Sequence, residues 1–97
     1  MQQGNVSVAM NDAAEVETTL RALLADTLGL SPERIATFDD ATALFGALPE
    51  FDSMAVATLL TGIEERFAVL IEDDDVEAED FASFGTLLAF VRRKALV

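Results

Sequence analysis

Neither cysteine nor histidine occurs among the 97 residues. Without cysteine the chain has no disulfide, no thiolate metal ligand and no thiol nucleophile. Without histidine it cannot build a Ser-His-Asp nucleophile or a His-containing zinc site. Positive charge is scarce too: six Lys and Arg stand against eighteen Asp and Glu, a net charge of -12. Long apolar runs are also missing, and no stretch approaches the roughly 20 residues that a membrane span requires. Residues Met1 to Met10 have neither the basic end nor the continuous apolar centre of a signal peptide. These absences predict a cytoplasmic protein that does not enter membranes, has no cysteine- or histidine-based metal centre and carries out no hydrolase chemistry of its own.

What is present suits one small domain. A chain of this length leaves no room for two domains with a cleft between them, and with over half its residues apolar it can support a single core without staples. Residues 1–10 read as a flexible tail and residues 11–97 as the folded domain. The acidity is local: residues 50–80 hold eleven of the eighteen acids and one base, Arg66. Such a field repels nucleic acid phosphates and favours encounter with basic protein surfaces. An acidic surface also simply keeps a protein soluble, so position must decide between the two uses.

Apolar spacing predicts three principal helices. Val16, Leu20, Leu23, Leu24 and Leu28 line one face of a first helix, with Asn11 or Asp12 as its cap and Gly29 as its stop. A long connection follows. Ser31-Pro32-Glu33 looks like a cap and first turn, and Asp39-Asp40 is placed to cap a further helical piece through Phe45. A second long helix should run from Ser53 to about Phe67, with Val56, Leu59, Leu60, Ile63 and Phe67 inward and Gly62 at a tolerated weak point or a close helix approach. Val69-Leu70-Ile71 has no strand to pair with and is expected to be loop. One short helical turn is expected around Val76 to Phe81, and Ser83 should cap a last helix through about Ala95 on which Leu87, Leu88 and Val91 face inward. The class is all-α: a bundle of three principal helices plus a short helix, with a long loop between the first two.

Ser53 stands where the loop bends into the second long helix. Its plain role is that of a helix cap. No capping-box partner follows, however, since Val56 occupies the third position after it. A hydroxyl at that point would also set any phosphate attached to it against free backbone N–H groups and the positive end of the helix dipole.

Asp52-Ser53-Met54, the helix Val56 to Phe67 with Glu64-Glu65 near its end, Ile71 and the acidic run after it resemble the acyl carrier protein family, and the likeness extends from the first helix to Val91. The run Gly46 to Met54 is most similar to free-standing bacterial carriers associated with exopolysaccharide and protein-sorting gene clusters. The resemblance implies that a phosphopantetheinyl transferase moves 4'-phosphopantetheine from coenzyme A onto Ser53, flanked by Asp52 and Met54. Acyl groups would then ride as thioesters on the arm, delivered by a monomer to acyl-transferring or acyl-activating enzymes with basic surfaces. It further implies that Glu50, Asp52, Glu64 and Glu65 meet those partners, and that Phe45, Leu59, Ile63, Ile71 and Phe81 line a site for the acyl chain. Pro49-Glu50-Phe51 departs from the family's usual approach to Asp-Ser, and Ala55 and Thr58 stand where fatty-acid carriers commonly have acids.

Two other readings use the same residues. An unmodified acidic helical adaptor would bind a basic partner through this surface. A calcium loop starting at Asp73 would need glycine at position 78 and glutamate at position 84, where Ala78 and Phe84 stand, leaving at most a loose divalent-cation contact.

Overall fold

The computed structural model describes residues 13–96, so the tail at 1–10 and the proposed caps Asn11 and Asp12 lie outside the described residues. Four α-helices follow in order: α1 (Ala13–Leu28), α2 (Pro32–Ala36), α3 (Ser53–Phe67) and α4 (Phe84–Ala95), with two 3-10 turns, Asp73–Asp75 and Ala78–Phe81, before the last.

Each boundary has a local cause. Gly29, at φ 68°, takes the left-handed turn that ends α1, and the Leu30 N–H closes on the Ala25 carbonyl at 3.1 Å. Ser31 Oγ then accepts the Arg34 N–H at 3.1 Å and Pro32 opens α2, where its missing N–H costs nothing. At the start of α4, Ser83 and Thr86 cap each other: Ser83 Oγ accepts the Thr86 N–H at 3.2 Å and Thr86 Oγ1 accepts the Ser83 N–H at 3.1 Å.

The core is the meeting of α1, α3 and α4. Val16, Leu20, Leu23, Leu24 and Leu28 of α1 pack with Leu59, Ile63 and Phe67 of α3 and with Phe84, Leu87, Leu88, Phe90 and Val91 of α4, all buried. Gly62 lets α1 pack close against α3, since a Cβ there would lie 2.7 Å from Leu23 Cδ1.

The connection between α2 and α3 departs from expectation. Ile35, Phe38 and Leu44 are buried, but residues 39–45 form no helix. The Asp39 side chain instead closes a turn, accepting the Ala41 N–H at 3.0 Å, while its own N–H bonds Thr42 Oγ1 at 2.8 Å. Beyond that turn the chain runs extended beside residues 81–85. Leu44 and Phe45 donate their N–H groups to Ala82 and Phe81 at 2.9 and 3.0 Å, and Phe84 donates to Thr42 at 2.8 Å. These long-range bonds replace the local ones a helix would have made.

Arg21 holds this connection from below. Its guanidinium donates to the carbonyls of Ile35 at 2.7 Å and Phe38 at 3.0 Å, pairs with Glu17 at 2.8 Å and lies 4.5 Å from the centre of the Phe84 ring. Glu17 also takes Arg92 at 3.5 Å, which ties α4 to α1.

Helix α3 ends on Ala68, at φ 55° and ψ 46°, a left-handed conformation unfavourable for any residue with a Cβ. Replacing Ala68 with glycine should therefore stabilise the protein by about 1 kcal/mol, raising Tm by roughly 4–8 °C in a domain of this size. Thermal unfolding of the two proteins checks it, and an unchanged or lower Tm would mean the strain is absent in solution.

Candidate functional site

The start of α3 is organised by Asp52, not by Ser53. Asp52 has extended backbone and its Oδ1 accepts the Ala55 N–H at 2.9 Å, while its carbonyl receives the first intrahelical bond, from Val56, at 3.0 Å. Ser53 is thus the first helical residue rather than the cap. Its side chain is exposed, and the N–H groups of Ser53 and Met54 precede that first intrahelical bond. An exposed hydroxyl, two N–H groups without intrahelical acceptors and the positive end of a four-turn helix converge here.

Beside the hydroxyl lies a groove of about 290 Å³, lined by Phe45, Ser53, Val56, Leu60, Val76, Glu77, Ala78 and Phe81. Val56 and Leu60 of α3 form one wall, and the strap 72–81 forms the other. Beneath it Phe51, 2% exposed, meets Phe45 and Phe81 edge-on at 6.1 and 6.2 Å between ring centres. A phosphodiester on Ser53 with an apolar cargo beyond it suits this arrangement, because the polar attachment and the apolar walls adjoin.

The strap is built by a repeated device. In each 3-10 turn the acid at the third position bonds the N–H that opens the turn: Asp75 accepts from Glu72 at 2.9 Å and Asp80 from Glu77 at 2.8 Å. Each of these acids then meets a base in the last turn of α4, Lys94 at 2.9 Å from Asp75 and Arg93 at 3.6 Å from Asp80. The Glu64 carboxylate holds the strap's near end by accepting the Ile71 N–H at 2.8 Å.

The Asp75 carboxyl is held below its ordinary value of 3.8, first by the Glu72 N–H and then by Lys94. A carboxyl depressed in the folded state contributes stability that is complete above its unfolded value and fades as pH falls through the lower folded one. Amide NMR shifts of Glu72 and Val76 should therefore hold steady from pH 7 to about 4 and move only below that. Asp75→Asn should show the acidified shifts already at pH 7, and a variant indistinguishable from the parent there would mean the pair does not hold the strap.

The site brings together only part of what the sequence pointed to. Asp52, Ser53, Met54, Phe45 and Phe81 gather at one end of α3, with Met54 at 77% and Phe45 at 46% exposure. Leu59 and Ile63 are fully buried in the core, on the α1 side of α3, and Ile71 lies outside the groove lining. Val56, Leu60 and Val76 take those places. The signal for them was a second i, i+4 apolar pair, Val56 and Leu60, set one residue along from the buried row Ala55, Leu59 and Ile63. Among the acids, Glu50 pairs with Arg34 at 3.4 Å and Glu64 is engaged with Ile71, which leaves Glu65 exposed. Of the two positions on α3 that depart from fatty-acid carriers, Thr58 is exposed and Ala55 is buried.

All six basic side chains are ion-paired within the protein: Arg21, Arg34, Arg66, Arg92, Arg93 and Lys94. Cations therefore scarcely offset the outward field of the remaining acids. Among the described residues no three acidic side chains converge to hold a metal ion, and no helix is long and apolar enough to cross a membrane.

Comparison with known proteins points the same way. A family model described as the phosphopantetheine attachment site matches residues 18–92. The chain is similar to the acyl carrier proteins of two Chlamydia trachomatis strains, of serovars D and A, at 28% identity over 79 residues, covering 81% of this chain and 95% of each relative. It is also similar to the solution NMR structure of a holo acyl carrier protein from Nitrosomonas europaea, with a TM-score of 0.70 and 38% identity over 80% of this chain and 92% of that one.

Proposed function

The chain belongs to the acyl carrier protein family, whose members carry acyl groups on a 4'-phosphopantetheine prosthetic group, and we propose that Ser53 is the residue to which that group is joined. The observation that carries this is the division of labour at the start of α3. Asp52 does the capping, so the Ser53 hydroxyl is free for chemistry. When bound, the group supplies a terminal thiol that holds the acyl chain as a thioester. The protein's own residues do the rest: Ser53 Oγ anchors the phosphodiester, the N–H groups of Ser53 and Met54 with the helix dipole favour its negative charge, and the apolar groove shelters a cargo.

Residues 11–97 form the carrier domain on this reading, with 1–10 outside it, and the protein works as a cytoplasmic monomer. Its partners are a phosphopantetheinyl transferase and acyl-handling enzymes with basic docking surfaces. Met54 offers an exposed apolar contact next to the modified residue, and Glu65 with the acids of the strap offers charge. Thr58, uncharged and exposed on α3, supports dedicated partners other than a housekeeping fatty acid synthase.

Incubation with coenzyme A and a broad-specificity transferase, followed by intact mass measurement, tests the reading. A single phosphopantetheine addition that peptide mapping places on Ser53 is expected. Addition elsewhere, or none while a second carrier in the same tube is modified, would overturn it.

A further inference from the structure

Of the eight residues lining the groove, Glu77 alone is ionisable. It has no basic partner, because all six bases of the chain pair with other acids. Its neighbours on the strap, Glu72, Asp73, Asp74 and Glu79, are exposed and also without a base. The one charge in the lining of an otherwise apolar groove, which Ser53 also lines, is thus an acid without a base.

We infer that Glu77 is a specificity residue that sorts cargo by the charge at its far end: the groove admits an uncharged apolar acyl chain and turns away one that ends in a carboxylate. This rests on Ser53 as the attachment point. An uncharged chain entering between Val56, Leu60, Val76 and Phe81 leaves water at a gain that grows with each methylene. A carboxylate taking the same path loses hydration against those walls and meets Glu77 at short range, where like charges oppose each other most strongly. The groove's 290 Å³ corresponds to roughly ten groups the size of a water molecule at ~30 Å³ each, which suits a chain of medium length. Excluded cargo stays in solvent on its arm, open to whichever enzyme meets it.

The test loads two eight-carbon cargoes, octanoyl and 7-carboxyheptanoyl, from their coenzyme A thioesters onto the parent and onto Glu77→Gln, and confirms each product by mass. Methyl NMR shifts of Val56, Leu60 and Val76 and the Tm are then compared with the cargo-free holo protein. Octanoyl should move the methyls and raise Tm by about 5 °C in both proteins, showing that the substitution leaves the groove intact. The carboxylated cargo should leave the parent near its holo values, and in Glu77→Gln should move the same methyls and recover at least half the rise. Equal behaviour of the two cargoes in the parent, or an unchanged difference between them in Glu77→Gln, overturns the inference. A confirmed octanoyl adduct with unmoved methyls overturns the groove while leaving Ser53 in place, whereas failure to form any adduct removes both together.

Discussion

Ser53→Ala should abolish phosphopantetheine loading completely and change stability by no more than about 0.5 kcal/mol. The two halves of that expectation come from one geometry. The hydroxyl is exposed and makes no hydrogen bond that the fold needs, because the first turn of α3 is closed by Asp52 Oδ1 on the Ala55 N–H. Asp52→Ala should give the opposite division. Loss of the cap costs about 1 kcal/mol, and loading slows as the first turn frays but does not vanish, since the attacking oxygen is still present. Intact mass after transferase treatment, with thermal unfolding of each variant, measures both quantities. If Ser53→Ala takes up the group, the attachment site is elsewhere; if it unfolds several degrees early, the serine has a structural role that its surroundings do not show.

The largest loss of stability should come from Arg21→Ala, at about 3 kcal/mol, which lowers Tm by roughly 15 °C. One guanidinium serves the Ile35 and Phe38 carbonyls, the Glu17 carboxylate and the face of Phe84. Its removal leaves two part-buried acceptors unserved and takes away a ring contact. Arg21→Lys should recover little, because a single ammonium cannot span acceptors that a planar fork reaches from two of its nitrogens. Chemical denaturation of the three proteins decides the matter. A loss below about 1 kcal/mol in Arg21→Ala would mean that burial of Ile35 and Phe38 holds the connection without help.

Arg21 also marks where the sequence stops being informative. The three long helices, the Ser31-Pro32 start of α2 and the Ser83 cap of α4 were legible because their causes are local: apolar spacing, a capping oxygen, a residue that tolerates a left-handed turn. The extended stretch through Thr42 to Phe45 was not, because its hydrogen bonds go to residues some forty positions away. Taken locally, Asp39-Asp40 looks like a cap, yet the Asp39 side chain closes a turn instead. The groove was half legible for a related reason. Periodicity shows that α3 has an apolar side, but not that Leu59 and Ile63 face α1 while Val56 and Leu60 face the strap. That division depends on where 72–81 lies, and 72–81 is placed by bases at the far end of the chain. Those bases stand in the last turn of α4, where a helix dipole favours cations, and nothing local to them indicates that Arg93 and Lys94 also reach across to Asp80 and Asp75.

The pairing of Lys94 with Asp75 has a chemical consequence. Thioesters are vulnerable to amines, which take the acyl group irreversibly as an amide, and a carrier holds its cargo close to its own surface for as long as transfer takes. This chain has a single lysine and no cysteine or histidine. The nitrogen of that lysine lies 2.9 Å from a carboxylate oxygen, where an ammonium donates its protons and keeps no lone pair for attack. The bond that steadies the strap thereby also turns the sequence's one side-chain amine toward a carboxylate, instead of leaving it free beside an acyl group waiting on the arm.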